Sequence, residues 1–137
     1  MKRYLFLSTM MLILPLATQA SGGSWSQKAS GPAISIGMQP EYGTPLSPSS
    51  SLPIQAQVTD ISWYIALLTP ASGKLKIELC SQQQCLQLDQ LSGRQTLPSG
   101  IAAHGPFTFR YTLIERGLIR PPLQVLNQQL TVNYTLR

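Results

Sequence analysis

The chain has 137 residues, ten Lys and Arg against five Asp and Glu, a net charge of +5, and only 11% charged residues. That length leaves room for one domain around one core. No run of basic residues and no aromatic platform among them is present, which excludes a nucleic-acid footprint; Ser, Thr, Gln and Asn must supply most of the wetted surface.

In chain order, Lys2 and Arg3 precede an apolar run from Tyr4 to Leu16, interrupted only by Ser8, Thr9 and Pro15. Thr18 and Ala20 then place small residues at the positions a signal peptidase reads. The pattern predicts a secretory signal peptide over residues 1–20, cleavage before Ser21, and a mature chain of residues 21–137 in the periplasm. The apolar run is too short, and too broken by proline, to predict a membrane span. Removing Lys2 and Arg3 lowers the charge from +5 to +3.

Trp25 opens the mature chain, and residues 21–31 carry only Trp25 and Ala29 as apolar side chains besides glycine. Ile34, Ile36 and Met38 alternate with Ser35 and Gly37, which predicts a strand over 33–38. Residues 39–53 hold Pro40, Pro45, Pro48, Pro53 and four serines, and read as a long loop, either a mobile flap or an insertion. Ile54, Ala56 and Val58 then alternate on even numbers, while Ile61, Trp63, Ile65 and Leu67 alternate on odd ones. The change of phase near Asp60 predicts a β-bulge or a break between two strands. Residues 62–68 are apolar on both faces and predict a central strand covered on both sides; periodicity alone leaves a buried helix open there.

Residues 74–89 predict a β-hairpin. Leu75, Ile77 and Leu79 share one face, as do Leu86 and Leu88, while Lys74, Lys76, Glu78, Cys80, Cys85, Gln87 and Asp89 take the other. A four-residue loop over 81–84 sets Cys80 opposite Cys85 at a separation that a disulfide spans. The alternative is two free surface thiols. A disulfide fits an oxidising compartment, and it would lock the register, since a one-residue slip turns the leucines outward.

Residues 90–106 read as loop, carrying Arg94 and the single histidine, His104. Phe107, Phe109, Tyr111 and Leu113 then alternate with Thr108, Arg110, Thr112 and Ile114 in the clearest strand of the chain. Glu115-Arg116-Gly117 reads as a turn. Pro121 and Pro122 lack donors and belong at an edge. Asn127-Gln128 reads as a second turn, and Leu130, Val132, Tyr134 and Leu136 alternate to the end. No segment has capped 3.6-residue periodicity. The expected fold is a single-domain, all-β antiparallel sandwich, or partly open barrel, of about eight short strands.

Catalytic chemistry is poorly supplied. The five carboxylates Glu41, Asp60, Glu78, Asp89 and Glu115 are scattered, and Glu78 and Asp89 read as solvated partners of Lys74 and Lys76. His104 lies in a Gly/Pro/Ala loop with no G-x-S-x-G anywhere. No phosphate-cradling loop occurs, and two cysteines with one histidine fall short of a zinc site. Asn133-Tyr134-Thr135 matches a glycosylation acceptor but falls in a strand. No enzyme activity, cofactor or small-molecule substrate is expected. What remains is surface: Arg110, Arg116 and Arg120 flank Leu118 and Ile119. A basic rim around an exposed Leu-Ile tip would make a protein-binding patch; the alternative has both apolar residues folded into the core.

Two stretches resemble a known family. Leu79-Cys80-Ser81-Gln82 with Cys85 and Leu88-Asp89 resembles the paired-cysteine segment of the flagellar periplasmic protein FlhE. The tail from Leu118-Ile119-Arg120-Pro121-Pro122 to Leu130-Thr131-Val132-Asn133-Tyr134 is similar as well, and the leader, Trp25 and the Trp63 strand agree in order. Residues 39–53 match no family pattern, and the chain runs past Tyr134 by three residues. The resemblance implies a non-enzymatic exported accessory of the flagellum. Such a protein acts at the export apparatus in a chaperone-like or gating role that limits proton leakage, with an export or basal-body component as partner. It carries over Cys80 and Cys85 as the disulfide pair and no catalytic residue. The alternative from another class is a fimbrial-type structural subunit, against which stands the lack of an alternating donor segment in residues 21–31.

Overall fold

The computed structural model describes residues 12–13, 22–82 and 84–136. The leader and its cleavage site lie outside the described residues, apart from Leu12 and Ile13. Among the described residues there are nine strands: β1 (Gly22–Ala29), β2 (Ala33–Ile36), β3 (Glu41–Tyr42), β4 (Gln57–Leu67), β5 (Lys74–Ser81), β6 (Gln84–Leu88), β7 (Ser92–Thr96), β8 (Phe107–Ile114) and β9 (Leu118–Thr135). They form two antiparallel sheets. One runs β1-β9-β4-β7, with β2 also on β9, and the other runs β3-β8-β5-β6. The all-β sandwich expected from alternation is therefore what forms.

Period-2 patterning explains which side chains meet between the sheets. Phe107, Phe109, Tyr111 and Leu113 of β8 are all buried, as are Ile77 and Leu79 of β5. Ile61, Trp63 and Ile65 of β4 and Leu130 and Val132 of β9 face them from the first sheet. The change of phase near Asp60 is a register shift between Val58 and Asp60 inside the continuous β4, so the bulge reading holds and the break does not. β4 is central in its sheet but covered on one face only, because Tyr64 on its outer face is 56% exposed.

Two stretches that read as loop are paired, and so is Gly22–Ala29, for which the pattern predicts no element. β7 lies inside residues 90–106, at the edge of the first sheet beside β4. Its Ser-Gly-Arg-Gln-Thr sequence has no apolar alternation, because Gly93 contributes room rather than a side chain. A Cβ there would stand 3.0 Å from the Trp63 ring. β3 lies inside residues 39–53 and pairs with β8, and Leu46 bridges Phe107 and is buried, so this stretch is laced onto the sandwich. β1, nearly devoid of apolar residues, pairs along its whole length with the end of β9. Its one core side chain, Trp25, donates from Nε1 to the Ala103 carbonyl at 2.8 Å and packs on Phe107.

Asn127-Gln128 is not a turn. β9 runs through it as one 18-residue strand, and Gln128 lies opposite Ala29 on one side and Ile65 on the other. Its side chain is fully buried, yet its Oε1 accepts from the Tyr111 hydroxyl and its Nε2 donates to the Thr44 carbonyl. A buried amide with its partners supplied does not break a strand. Gly43 makes room for it, since a Cβ there would overlap the Gln128 amide. Pro121 and Pro122 fall in a gap of the β2–β9 ladder, between the pairs at Leu118 and Leu123, where no donor is needed.

Candidate functional site

The hairpin of β5 and β6 is tighter than expected. Ser81 pairs with Gln84, so the loop is two residues rather than four, and Gln82 takes a positive φ of 55°, a conformation that two-residue hairpin turns use. Cys80 lies opposite Cys85 and the two form a disulfide, with their Cα atoms 4.0 Å apart.

At the far end of β5, away from the disulfide, the β8–β9 turn forms one pole of the sandwich. Gly37 N donates to the Gly117 carbonyl at 2.8 Å and Met38 N to the Leu113 carbonyl at 2.8 Å, so the segment after β2 is laced to the turn. A Cβ at position 37 would collide with the Glu115 carbonyl, which leaves glycine as the residue that fits. Met38 follows with φ 61°, a left-handed conformation that costs a non-glycine residue about 1–2 kcal/mol. Its side chain is 56% exposed, and Leu118, the cross-strand partner of Ile36, is 63% exposed. Ile36 and Ile114 are also partly open to water. Left-handed non-glycine backbone is uncommon, and at this pole it falls next to a turn that also carries exposed Leu118.

Arg116 and Arg120 stand exposed on the same pole, and neither joins an ion pair among the described residues. Glu115 is held by Ser72, whose Oγ donates to its Oε2 at 2.8 Å. Thr69, Ser72, Glu115, Leu118, Arg120 and Pro121 line a groove of about 290 Å³ here.

The five residues singled out by sequence are thus only partly brought together. Leu118, Arg116 and Arg120 share the pole. Ile119 is 6% exposed and belongs to the core, so the apolar tip is Leu118 with Ile36 and Met38. Alternation alone predicts opposite fates for adjacent Leu118 and Ile119, a signal that separates them. Arg110 lies four residues along β8 from Ile114, about 13 Å from the pole. Its guanidinium is engaged in a bidentate pair: Nη2 and Nε donate to the two Glu78 carboxylate oxygens at 2.5 and 3.1 Å. Glu78 is therefore a nearly buried ion-pair partner of Arg110, with Lys76 a second cation at 3.7 Å, rather than a solvated charge. The hydrogen bonds from Arg110 hold the Glu78 carboxyl below its ordinary value. Asp60 is likewise lowered, first by the Asn133 amide that donates to it at 2.6 Å and then by Arg94. His104 sits beside a shallow surface groove with residues 47–52. Among the described residues, no group of three or more His, Cys, Asp or Glu side chains is placed to hold a metal ion.

Comparison with known proteins shows the family. The family model described as flagellar protein FlhE matches residues 31–135. The chain belongs to the FlhE family. It is 34% identical over 125 residues to the flagellar protein FlhE of Escherichia coli (strain K12), covering 90% of this chain and 95% of that one. It is 37% identical over 123 residues to the FlhE of Yersinia enterocolitica, covering 89% and 87%. A crystal structure of FLHE superposes with a TM-score of 0.77 at 28% identity, covering 85% of this chain and 99% of the solved one. The match begins before β2, so the β2–β9 pole and the stapled hairpin both fall within the FlhE family region. A fimbrial-type subunit is set aside by that membership, and β1 is paired within its own chain.

Proposed function

We propose that this chain is a periplasmic, non-enzymatic accessory of the flagellum that acts at the export apparatus, in a chaperone-like or gating role limiting proton leakage. It would do so through a protein-binding pole made by Leu118, Met38, Arg116 and Arg120. Membership of the FlhE family supports the flagellar part of this reading, and the charged, apolar leader supports export. The observation that carries the site is the exposed Leu118 beside two arginines that join no ion pair among the described residues, next to a turn laced to Gly37 and Met38. Interface energy concentrates in a few residues, arginine prominent among them. Charge at the rim speeds encounter with an acidic export or basal-body component in a salt-dependent way.

The test is complementation of a deletion strain of a flagellated host. Arg116→Ala with Arg120→Ala should fold normally, since exposed charges contribute little to stability, yet fail to restore motility or resistance to proton leakage. His104→Ala should complement. Full complementation by the arginine variant would refute the site, and failure of His104→Ala alone would reopen a catalytic role.

A further inference from the structure

The opposite pole carries a second surface. β6 ends the order β3-β8-β5-β6, so among the described residues it has a strand neighbour on one side alone. The 4.0 Å Cα separation marks Cys80 and Cys85 as a non-hydrogen-bonded pair of the ladder. Alternation then makes Glu78 and Gln87 the next such pair. The main-chain N–H and C=O groups of Cys85 and Gln87 therefore point away from β5, toward the open edge. Next to that edge a largely apolar cavity of about 120 Å³ opens between this sheet and the segment after β7, lined by Leu79, Cys85, Leu86, Leu97, Ile101 and Phe107. Engineered apolar cavities of about 150 Å³ accept a benzene ring, so this one accepts a single branched aliphatic side chain. It adjoins a wider cleft of about 420 Å³ that shares Ser81, Gln84 and Ile101 with it. No charged residue lines either space.

We propose that this edge and cavity capture an extended, uncharged segment of a partner polypeptide. The segment pairs as a fifth strand beyond β6, exchanging hydrogen bonds with Cys85 and Gln87, and sets one aliphatic side chain among Leu86, Leu97 and Ile101. Main-chain bonds supply affinity in such strand addition and the side-chain pocket supplies selectivity. The lack of charge selects against Asp, Glu, Lys and Arg at the inserted position, because a buried charge without a partner is costly. The disulfide gives the edge its use: it holds Cys85 and Gln87 in register whether or not a strand is bound. This site rests on the reading of the chain as a protein-binding accessory, but lies at the other end of the sandwich from the arginine pole, so the two fail separately.

The probe is a blocked heptapeptide, Thr-Val-Thr-Leu-Thr-Val-Thr, titrated to millimolar concentration into the ¹⁵N-labelled mature protein. Amide shifts should be confined to residues 84–88 and 97–101, and the Cys85 and Gln87 amides should gain protection from hydrogen exchange. Aspartate in place of the central leucine should weaken binding about tenfold or more. Gln87→Pro removes one outward donor without touching the ladder to β5, and should weaken binding by a similar factor while leaving the melting temperature near that of the parent. Arg116→Ala with Arg120→Ala should bind the peptide unchanged. No shift at the β6 edge, equal binding of the aspartate peptide, or binding indifferent to Gln87→Pro would each overturn the proposal. So would a self-associated dimer that Gln87→Pro dissolves, since it would assign the edge to a second copy of this chain.

Discussion

The Tyr111 hydroxyl donates to Oε1 of Gln128 at 2.5 Å, and both side chains are fully buried. Tyr111 belongs to β8 in one sheet and Gln128 to β9 in the other, so one hydrogen bond pins the two layers at a fixed offset. Burial pushes the Tyr111 hydroxyl well above the ordinary tyrosine range, which keeps it a neutral donor across physiological pH. Tyr111→Phe should cost about 1–3 kcal/mol, because it strands a buried amide oxygen. Gln128→Leu should cost as much or more, since it also frees the Thr44 carbonyl. The double variant should cost less than the two single changes added together, which is the mark of a direct pair. Urea denaturation of the four proteins measures this, and strict additivity would show that the bond contributes nothing.

The Cys80–Cys85 disulfide closes a short ring, and the chain-entropy model gives it about 2 kcal/mol. Replacing both residues with serine should lower stability by about that amount and leave far-UV dichroism unchanged. Thiol reagents should label neither residue until the protein is reduced. Labelling of the untreated protein would contradict the bond.

Acid should weaken the fold through two carboxylates. Glu78 and Asp60 both titrate below their ordinary values of 4.5 and 3.8 when folded. A lowered folded value means that the unfolded chain binds the proton more tightly. Their contribution is therefore complete above the ordinary carboxylate range and is lost as pH falls through the folded values. The melting temperature should hold steady from pH 7 to about 5 and drop below that. Glu78→Gln should lower it at pH 7, because Arg110 loses its counter-charge, and should make the acid drop shallower. An unchanged acid slope would assign the drop to other groups.

The proposed export predicts the mature terminus. Protein purified from the periplasm should begin at Ser21 by mass spectrometry, and an intact Met1 in a membrane fraction would contradict the leader reading.

Local pattern was enough for part of this molecule. The alternation of Phe107, Phe109, Tyr111 and Leu113, the stapled hairpin with its cysteine pair, and the bulge near Asp60 all depend on neighbours within a few residues, and the period-2 pleat writes them directly into the sequence. The sandwich class followed from the same periodicity and from Gly/Pro punctuation. Only the tertiary structure decided the rest, because it depends on partners far away in the chain. β1 and β7 are strands because β9 and β4 offer them edges, not because their own residues ask to be buried. Gln128 lies within a strand because Tyr111 and Thr44 satisfy it, where composition alone reads a turn. Arg110 leaves the arginine cluster because Glu78, on a neighbouring strand 32 residues away in sequence, takes its guanidinium. Which polar group finds a partner is settled by packing across sheets, and a one-dimensional pattern carries no record of it.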